Sequence, residues 1–374
     1  MMMWIIIMWV SMAFVAACLF YLGVKVPDLF DISAINELSK MNRFWLGLLI
    51  SVGTMGILSL FMNFVNAIIC IMYAAMIWLV SDFALWILGK TFGLSFSPLY
   101  VGWLVVVLTV IALIFGWYLD HNVWKTEYTL KSSKVTKPLK IAMFADSHIG
   151  TTFDADGFAE HMKEIEKQNP DVVVVVGDYV DDGTNKNNMI ASTKALGSMK
   201  TKYGVYFVFG NHDKGYYGAE HRGFSWVELV EELQKNGVNV LFDDTALIND
   251  EFYIIGRKDY SEEKENRRHR RSMEDIVKEM DMSKYSIVLD HQPADYENQA
   301  KSGVDLVLSG HTHGGQLFPF NQVGKWIKAN DRVYGYERRA KTDFIVTSGI
   351  SDWAIKFKTG TKSEYVIINI EPEK

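Results

Sequence analysis

The chain changes its pattern part-way along. Up to about residue 120 it is a succession of long apolar runs; beyond, short apolar stretches alternate with polar clusters. Met3 to Val24 carries no charge until Lys25. It lacks the basic start of a signal peptide and outruns a signal peptide's apolar stretch, so it predicts a transmembrane helix. Trp45 to Met62, Phe64 to Leu88 and Leu99 to Tyr118 are three further runs. At about 1.5 Å per residue, such runs match a hydrocarbon core of about 30 Å. Trp103, Trp117 and Tyr118 stand where interfacial aromatics gather. Asn63 and Asn66 interrupt the middle pair. The expectation is about four helices, or three if the middle runs form one broken hairpin. Asp82 lies inside the third run, either as a functional charge or as the mark of a helix end beside Ser81 and Lys90.

After residue 120 the period shortens. Ile141–Ala145, Asp171–Val176 with its five consecutive valines, Val205–Phe209, Phe252–Ile255, Ser286–Leu289 and Val304–Leu308 read as short buried strands. Gly157–Lys167 has helical character. Strands alternating with helices indicate an α/β domain. The organisation expected is a transmembrane region over 1–120, a juxtamembrane linker over 121–138 and the α/β domain over 139–374.

Composition adds exclusions. A formal net charge of −6 over 374 residues gives no whole-chain reason to expect a nucleic-acid partner. The two cysteines, Cys18 and Cys70, both lie in apolar runs, so neither suggests a disulfide framework or a thiolate metal site. Lys125, Lys131, Lys134, Lys137 and Lys140 follow the fourth run, against Lys25, Lys40, Arg43 and Lys90 on the opposite side. That balance leans towards a cytoplasmic catalytic domain. Arg267, Arg268, His269, Arg270 and Arg271 form a basic run. It reads as a solvated helix face, or as a cap that gathers anionic substrate or leans on an acidic membrane surface.

Candidate chemistry sits at the strand ends. Asp146-Ser147-His148, Gly177-Asp178-Tyr179-Val180-Asp181, Gly210-Asn211-His212-Asp213, Asp290-His291 and Gly310-His311-Thr312-His313 each follow an apolar strand. Five of the nine histidines fall in these clusters. Alone, an Asp-x-His pair reads equally as a surface turn, and Gly-Asn-His-Asp as a turn of residues that tolerate positive φ. Together, at the carboxyl ends of strands where α/β sheets bind ligands, they form one donor set. Carboxylates, imidazoles and an amide oxygen, with no thiolate, suit Mn, Fe, Zn or Mg. The donors outnumber the needs of one four-coordinate ion and would serve two that share a carboxylate.

In these five blocks and their order, the sequence resembles the calcineurin-like metallophosphoesterases. The Gly-His-Thr-His-Gly-Gly-Gln block running into Leu317-Phe318-Pro319 resembles their bacterial membrane-associated branch. The resemblance covers Leu139 to about Ile370 and implies a central β-sandwich flanked by helices. It implies that Asp146, His148 and His313 hold a first divalent metal, that Asn211, His291 and His311 hold a second, and that Asp178 bridges them. It further implies a dinuclear metal centre with a bridging hydroxide that attacks phosphorus. His212 would stabilise the transition state or protonate the leaving oxygen, Asp213 would orient His212, and Asp181 would cap the following turn. The activity implied is hydrolysis of phosphoester or pyrophosphate bonds at a bacterial plasma membrane. Anchoring beside the bilayer favours a lipid or lipid-linked phosphate as substrate. The competing expectation is a non-enzymatic membrane receptor or scaffold that binds a phosphate-bearing ligand. One departure from the family pattern is the lysine-bearing stretch Ser348 to Gly360, where relatives often carry an arginine. Tyr216, Tyr217 and Trp353 are expected either to line the substrate groove or to pack beneath the loops.

Overall fold

The computed structural model describes residues 2–265 and 270–373, without the side chains of 2–4 and 263–265. Two units separate, Met1–Gly116 and Trp117–Lys374.

Four long helices dominate the first unit: α1 (Met2–Lys25), α2 (Lys40–Met62), α3 (Phe64–Phe92) and α4 (Pro98–His121), whose last turn belongs to the second unit. Among the described residues, these four are long and apolar enough to cross a membrane. Ser39 starts α2 by accepting the Asn42 N–H. Asn63, at φ 77°, ends α2 and opens α3, and its side chain accepts the Asn66 N–H at 3.0 Å. The two asparagines thus make a one-residue joint between separate helices. Gly47 lets α1 and α2 approach, because a Cβ there would collide with the Gly23 carbonyl. Asp82 accepts a hydrogen bond from Tyr21 Oη at 2.6 Å and is ion-paired with Lys25, so its charge is matched inside the helix bundle. Leu60 and Phe61 are more than 80% exposed, an arrangement that lipid tolerates and water does not.

The second unit is built on twelve strands: β1 (Trp124–Ser132), β2 (Leu139–Phe144), β3 (Val172–Val176), β4 (Val205–Val208), β5 (Val238–Val240), β6 (Asp244–Ile248), β7 (Phe252–Gly256), β8 (Tyr285–Leu289), β9 (Leu306–Ser309), β10 (Gly335–Arg339), β11 (Thr342–Val346) and β12 (Glu364–Pro372). They form two six-stranded sheets, ordered β1-β12-β2-β3-β4-β5 and β10-β11-β9-β8-β7-β6. The central strands β2, β3 and β4 run parallel, as do β7, β8 and β9, so their carboxyl ends collect on one edge.

The valine run explains the layering. Val172, Val174 and Val176 enter the core between the sheets, beside Ile141, Met143, Ile254, Ile287 and Leu308. Val173 and Val175 point outward, into a core shared with Phe158, Leu196, Leu229 and Leu233 of α5 (Ala155–Glu166), α6 (Lys186–Gly197) and α7 (Trp226–Lys235). Ile276 of α8 (Met273–Val277) and Tyr296 of α9 (Tyr296–Ser302) cover the second sheet in the same way. A strand covered on both faces needs no polar alternation. Each such buried side chain contributes roughly 1.5–3 kcal/mol of transfer free energy. Asp154 caps α5 and Asn185 caps α6, while Ser225 and Glu228 form a capping box on α7.

The stretch expected to be a linker, 121–138, differs from that expectation. It contains β1, paired parallel with β12 from Trp124↔Glu364 to Ser132↔Pro372. Its half-exposed, lysine-bearing alternation is that of an edge strand.

Candidate metal centre

Five of the singled-out residues have left-handed backbones: Asp146 (φ 55°), His148 (38°), Asp178 (50°), His311 (71°) and His313 (47°). Non-glycine residues held this way cost of order 1–3 kcal/mol each and collect at functional sites. The strand ends must also approach closely. A Cβ on Gly310 would stand 2.6 Å from Asp146 Oδ2, and one on Gly177, itself at φ 79°, would stand 2.5 Å from His291 Nδ1.

Two groups of donors result. Asp146, His148 and His313 bring one ligand atom each within 4.8 Å of one another, and so do Asp178, His291 and His311. Asp178 lies between them: its Oδ2 is 3.0 Å from His291 Nε2 and 3.8 Å from His148 Nε2. Its Oδ1 accepts the His212 N–H at 2.8 Å. Both Asp146 oxygens accept the His311 N–H at 3.0 Å.

Three of the imidazoles are held through Nδ1. His291 Nδ1 lies 2.8 Å from the Val176 carbonyl, which only accepts, so this nitrogen carries the proton. His148 Nδ1 lies 3.1 Å from Asp181 Oδ2. His313 Nδ1 lies 3.0 Å from Asp352 Oδ1 and 3.3 Å from the Ser351 carbonyl. Each ring therefore turns Nε2 towards the other donors. The buried Nε2 of His148 and the Oδ1 of Asn211 have no hydrogen-bond partner, and the Nε2 of His291 meets only the Asp178 carboxylate. Buried polar atoms left so are costly unless something else binds them. Nitrogen and oxygen donors converging without thiolate fit a divalent cation in each group.

The electrostatics agree. Burial pushes Asp146 up to about 6. Burial also opposes ionisation of Asp178, but the charge and hydrogen bond of His291, then His212 and His148, hold it well below the usual carboxylate range. Burial disfavours the charged form of His291, yet Asp178 outweighs it and holds the ring well above its ordinary value. Burial, then the charge of His291, brings His311 down to about 4. Burial, then His148, puts His313 well below its ordinary range. A proton on one buried imidazole disfavours a second on its neighbour.

The role of Asp213 differs from expectation. Asp213 does not meet the His212 ring. Its carboxylate is fully buried and accepts the N–H groups of Asp178, Tyr179, Val180 and Gly210 at 2.7–3.0 Å, so it ties the second and third clusters together. His212 is held instead by aromatic contacts, 5.1 Å from Tyr216 and 4.9 Å from Trp353 between ring centroids. Trp353 is 49% exposed, Tyr216 53% and Tyr217 75%, so none packs under the loops; Tyr216 and Trp353 stand at the rim beside His212, while Tyr217 turns to His221. Asp181 caps its turn by accepting the Gly183 N–H at 2.7 Å, and holds His148 as well.

The basic run reads differently too. Arg267, Arg268 and His269 lie outside the described residues. Arg270 is buried and ion-paired with Asp290, and Arg271 lies 3.1 Å from Glu279. Arg270 therefore faces inward, onto Asp290, because a buried carboxylate requires a counter-charge.

Comparison with known proteins agrees with this arrangement. The model of the calcineurin-like phosphoesterases matches residues 139–315. An uncharacterized metallophosphoesterase of Aquifex aeolicus is 32% identical over 249 residues, covering 66% of this chain and 90% of that protein. One of Campylobacter jejuni is 31% identical over 248 residues, 64% of this chain and 60% of the relative. A Danio rerio protein named a transmembrane protein with metallophosphoesterase domain is 30% identical over 236 residues, 60% of this chain and 52% of the relative. The chain belongs to the calcineurin-like phosphoesterase family. It spans 60–62% of the length of the first curated relatives it matches.

Proposed function

We propose that this chain is a membrane-anchored, metal-dependent phosphoesterase that hydrolyses phosphoester or phosphoanhydride bonds at a dinuclear centre. The observation that carries the reading is Asp178, a single carboxylate set between the imidazoles of two donor groups. Asp146, His148 and His313 would hold one divalent cation, and Asn211, His291 and His311 the other, with Asp178 common to both. Bound there, such cations supply positive charge to the phosphoryl oxygens and lower the pKa of water. The chain's own residues do the rest. Asp181, Asp352 and the Val176 carbonyl fix the rings, and Asp213 fixes the loops. Burial lowers the pKa of His212, so a proton held on its ring is readily passed to a leaving oxygen.

The substrate class follows from the surroundings. Four membrane-capable helices precede the site, and exposed aromatics rim His212. Both favour a lipid or lipid-linked phosphate over a free nucleotide. The lysines after α4 favour a cytoplasmic catalytic unit at a bacterial plasma membrane.

The test uses the full chain in detergent, metal-stripped and then supplied with Mn, Zn or Mg. Hydrolysis of bis-p-nitrophenyl phosphate and p-nitrophenyl phosphate is followed, with lipid phosphates in mixed micelles and soluble nucleotides as the second pair. Metal-dependent turnover lost in Asp178→Asn and His212→Ala, with lipid phosphates preferred, is the expected result. Metal and phosphate binding without turnover on any substrate would replace the enzyme with a phosphate-binding receptor.

A further inference from the structure

His313 Nδ1 lies 3.3 Å from the Ser351 carbonyl and also faces a carboxylate outside the five clusters. Asp352 follows β11, is fully buried, and puts Oδ1 3.0 Å from His313 Nδ1. A buried carboxylate needs a counter-charge. Lys358, also fully buried, brings Nζ to 3.6 Å from the same oxygen. That ammonium is itself fixed, donating to the carbonyls of Ser348 and Ser351 at 2.8 and 3.1 Å and to Ser363 Oγ at 3.0 Å. Ser363 then reaches the helix. Its Oγ donates to the Asp120 carbonyl at 2.6 Å, and its N–H donates to the Leu119 carbonyl at 2.9 Å. These carbonyls belong to the last turn of α4, where no intrahelical N–H remains to pair with them. The Asp120 side chain, fully buried, lies against the Asp352 carboxyl, with His121 Nδ1 3.0 Å away on its other side.

We infer that Asp352, Lys358 and Asp120 are positioning residues that aim His313 at the first cation, which makes the final turn of α4 a working part of the metal centre. This rests on the dinuclear reading proposed above. Asp352 fixes the ring, Lys358 fixes Asp352, and residues 119–120 fix both through Ser363 and the paired carboxyls. The bland alternative is a polar plug that merely stabilises the fold. The two differ in what happens to one cation and not the other, since no member of this chain of contacts touches His291 or His311.

The experiment titrates the metal-stripped full chain in detergent with Mn(II), reading free Mn(II) by electron paramagnetic resonance to resolve two affinities. Thermal unfolding of the metal-free forms runs alongside. In Asp352→Asn one cation is expected to weaken by about tenfold to a hundredfold, the usual cost of losing a partner behind a ligand, while the other holds. Asp120→Asn should weaken the same cation by less. The double variant Asp352→Asn/Lys358→Met removes both buried charges, so its metal-free unfolding should return towards the parent while the weak cation stays weak. Unchanged affinities in the double variant, or equal weakening of both cations, would overturn the assignment. A parent chain that takes up no Mn(II) at all would remove the dinuclear reading instead, and this inference with it.

Discussion

His148 turns Nδ1 to the Asp181 carboxylate and His313 turns it between Asp352 and the Ser351 carbonyl, whereas His291 turns it to the main-chain carbonyl of Val176 alone. The rings of the first donor group therefore have carboxylates behind them, while His291 of the second is aimed by the end of a strand. A carboxylate behind an imidazole raises the basicity of the ring and can be removed by one substitution. A strand carbonyl cannot be removed without unpairing β3. The difference teaches that one half of the centre is open to adjustment by mutation and the other half is fixed by the sheet that carries it.

Breaking the shared element should have the largest effect. Asp178→Asn is expected to lower metal-dependent hydrolysis of bis-p-nitrophenyl phosphate roughly ten-thousandfold, equivalent to about 5 kcal/mol of transition-state stabilisation. Full turnover by this variant would dissolve the two-group picture. Next comes His212→Ala, which should cost at least about a hundredfold in kcat while both cations stay bound, as loss of a proton donor would. A variant that lost its metal would instead put His212 among the ligands.

Asp181→Asn sharpens the comparison directly. It should weaken one cation by about tenfold to a hundredfold and spare the other, in Mn(II) titrations of the full chain. Equal weakening would show that the two groups are not separable. The smallest effect is with pH. His291, and His148 beside Asp181, are held above their ordinary values despite burial, so without metal both favour the proton. A cation must displace those protons, so its affinity rises as pH rises and falls as pH falls through the imidazole range. Titrations on either side of neutrality that gave one affinity would show that these rings are already neutral.

The parts legible in the sequence share a physical reason. Strands buried on both faces are continuous apolar runs, and their polar ends follow at once, so Val172–Val176 and Asp178 declare each other. The four long helices are legible for the same reason, since apolar length is itself the signal. What escaped lacked such a signal. β1 alternates exposed lysines with half-buried residues and reads as a tether until its partner β12 is known. Asp352 sits in no motif, and its contact with His313 depends on where β11 ends. The work of Asp213 is done on backbone N–H groups, which no residue pattern records. Arg270 looked like part of a solvated basic face, because the buried Asp290 it answers is remote in sequence.

The place of β12 bears on how the chain is made. It lies between β1 and β2, with Val366 opposite Met143 and Thr126 opposite Val366 on the other side. Every other strand of that sheet precedes it in the chain, so on a ribosome the sheet stays split until residues 364–372 emerge. Until then β1 and β2 each carry an open row of backbone donors and acceptors, and a neighbouring nascent chain offers the same edge. Pairing of such distant segments is slow. By that time the four apolar helices have long since left the exit tunnel. For helices able to cross a membrane, insertion into lipid and closure of this sheet are thus separate events in time, with the second waiting on β12.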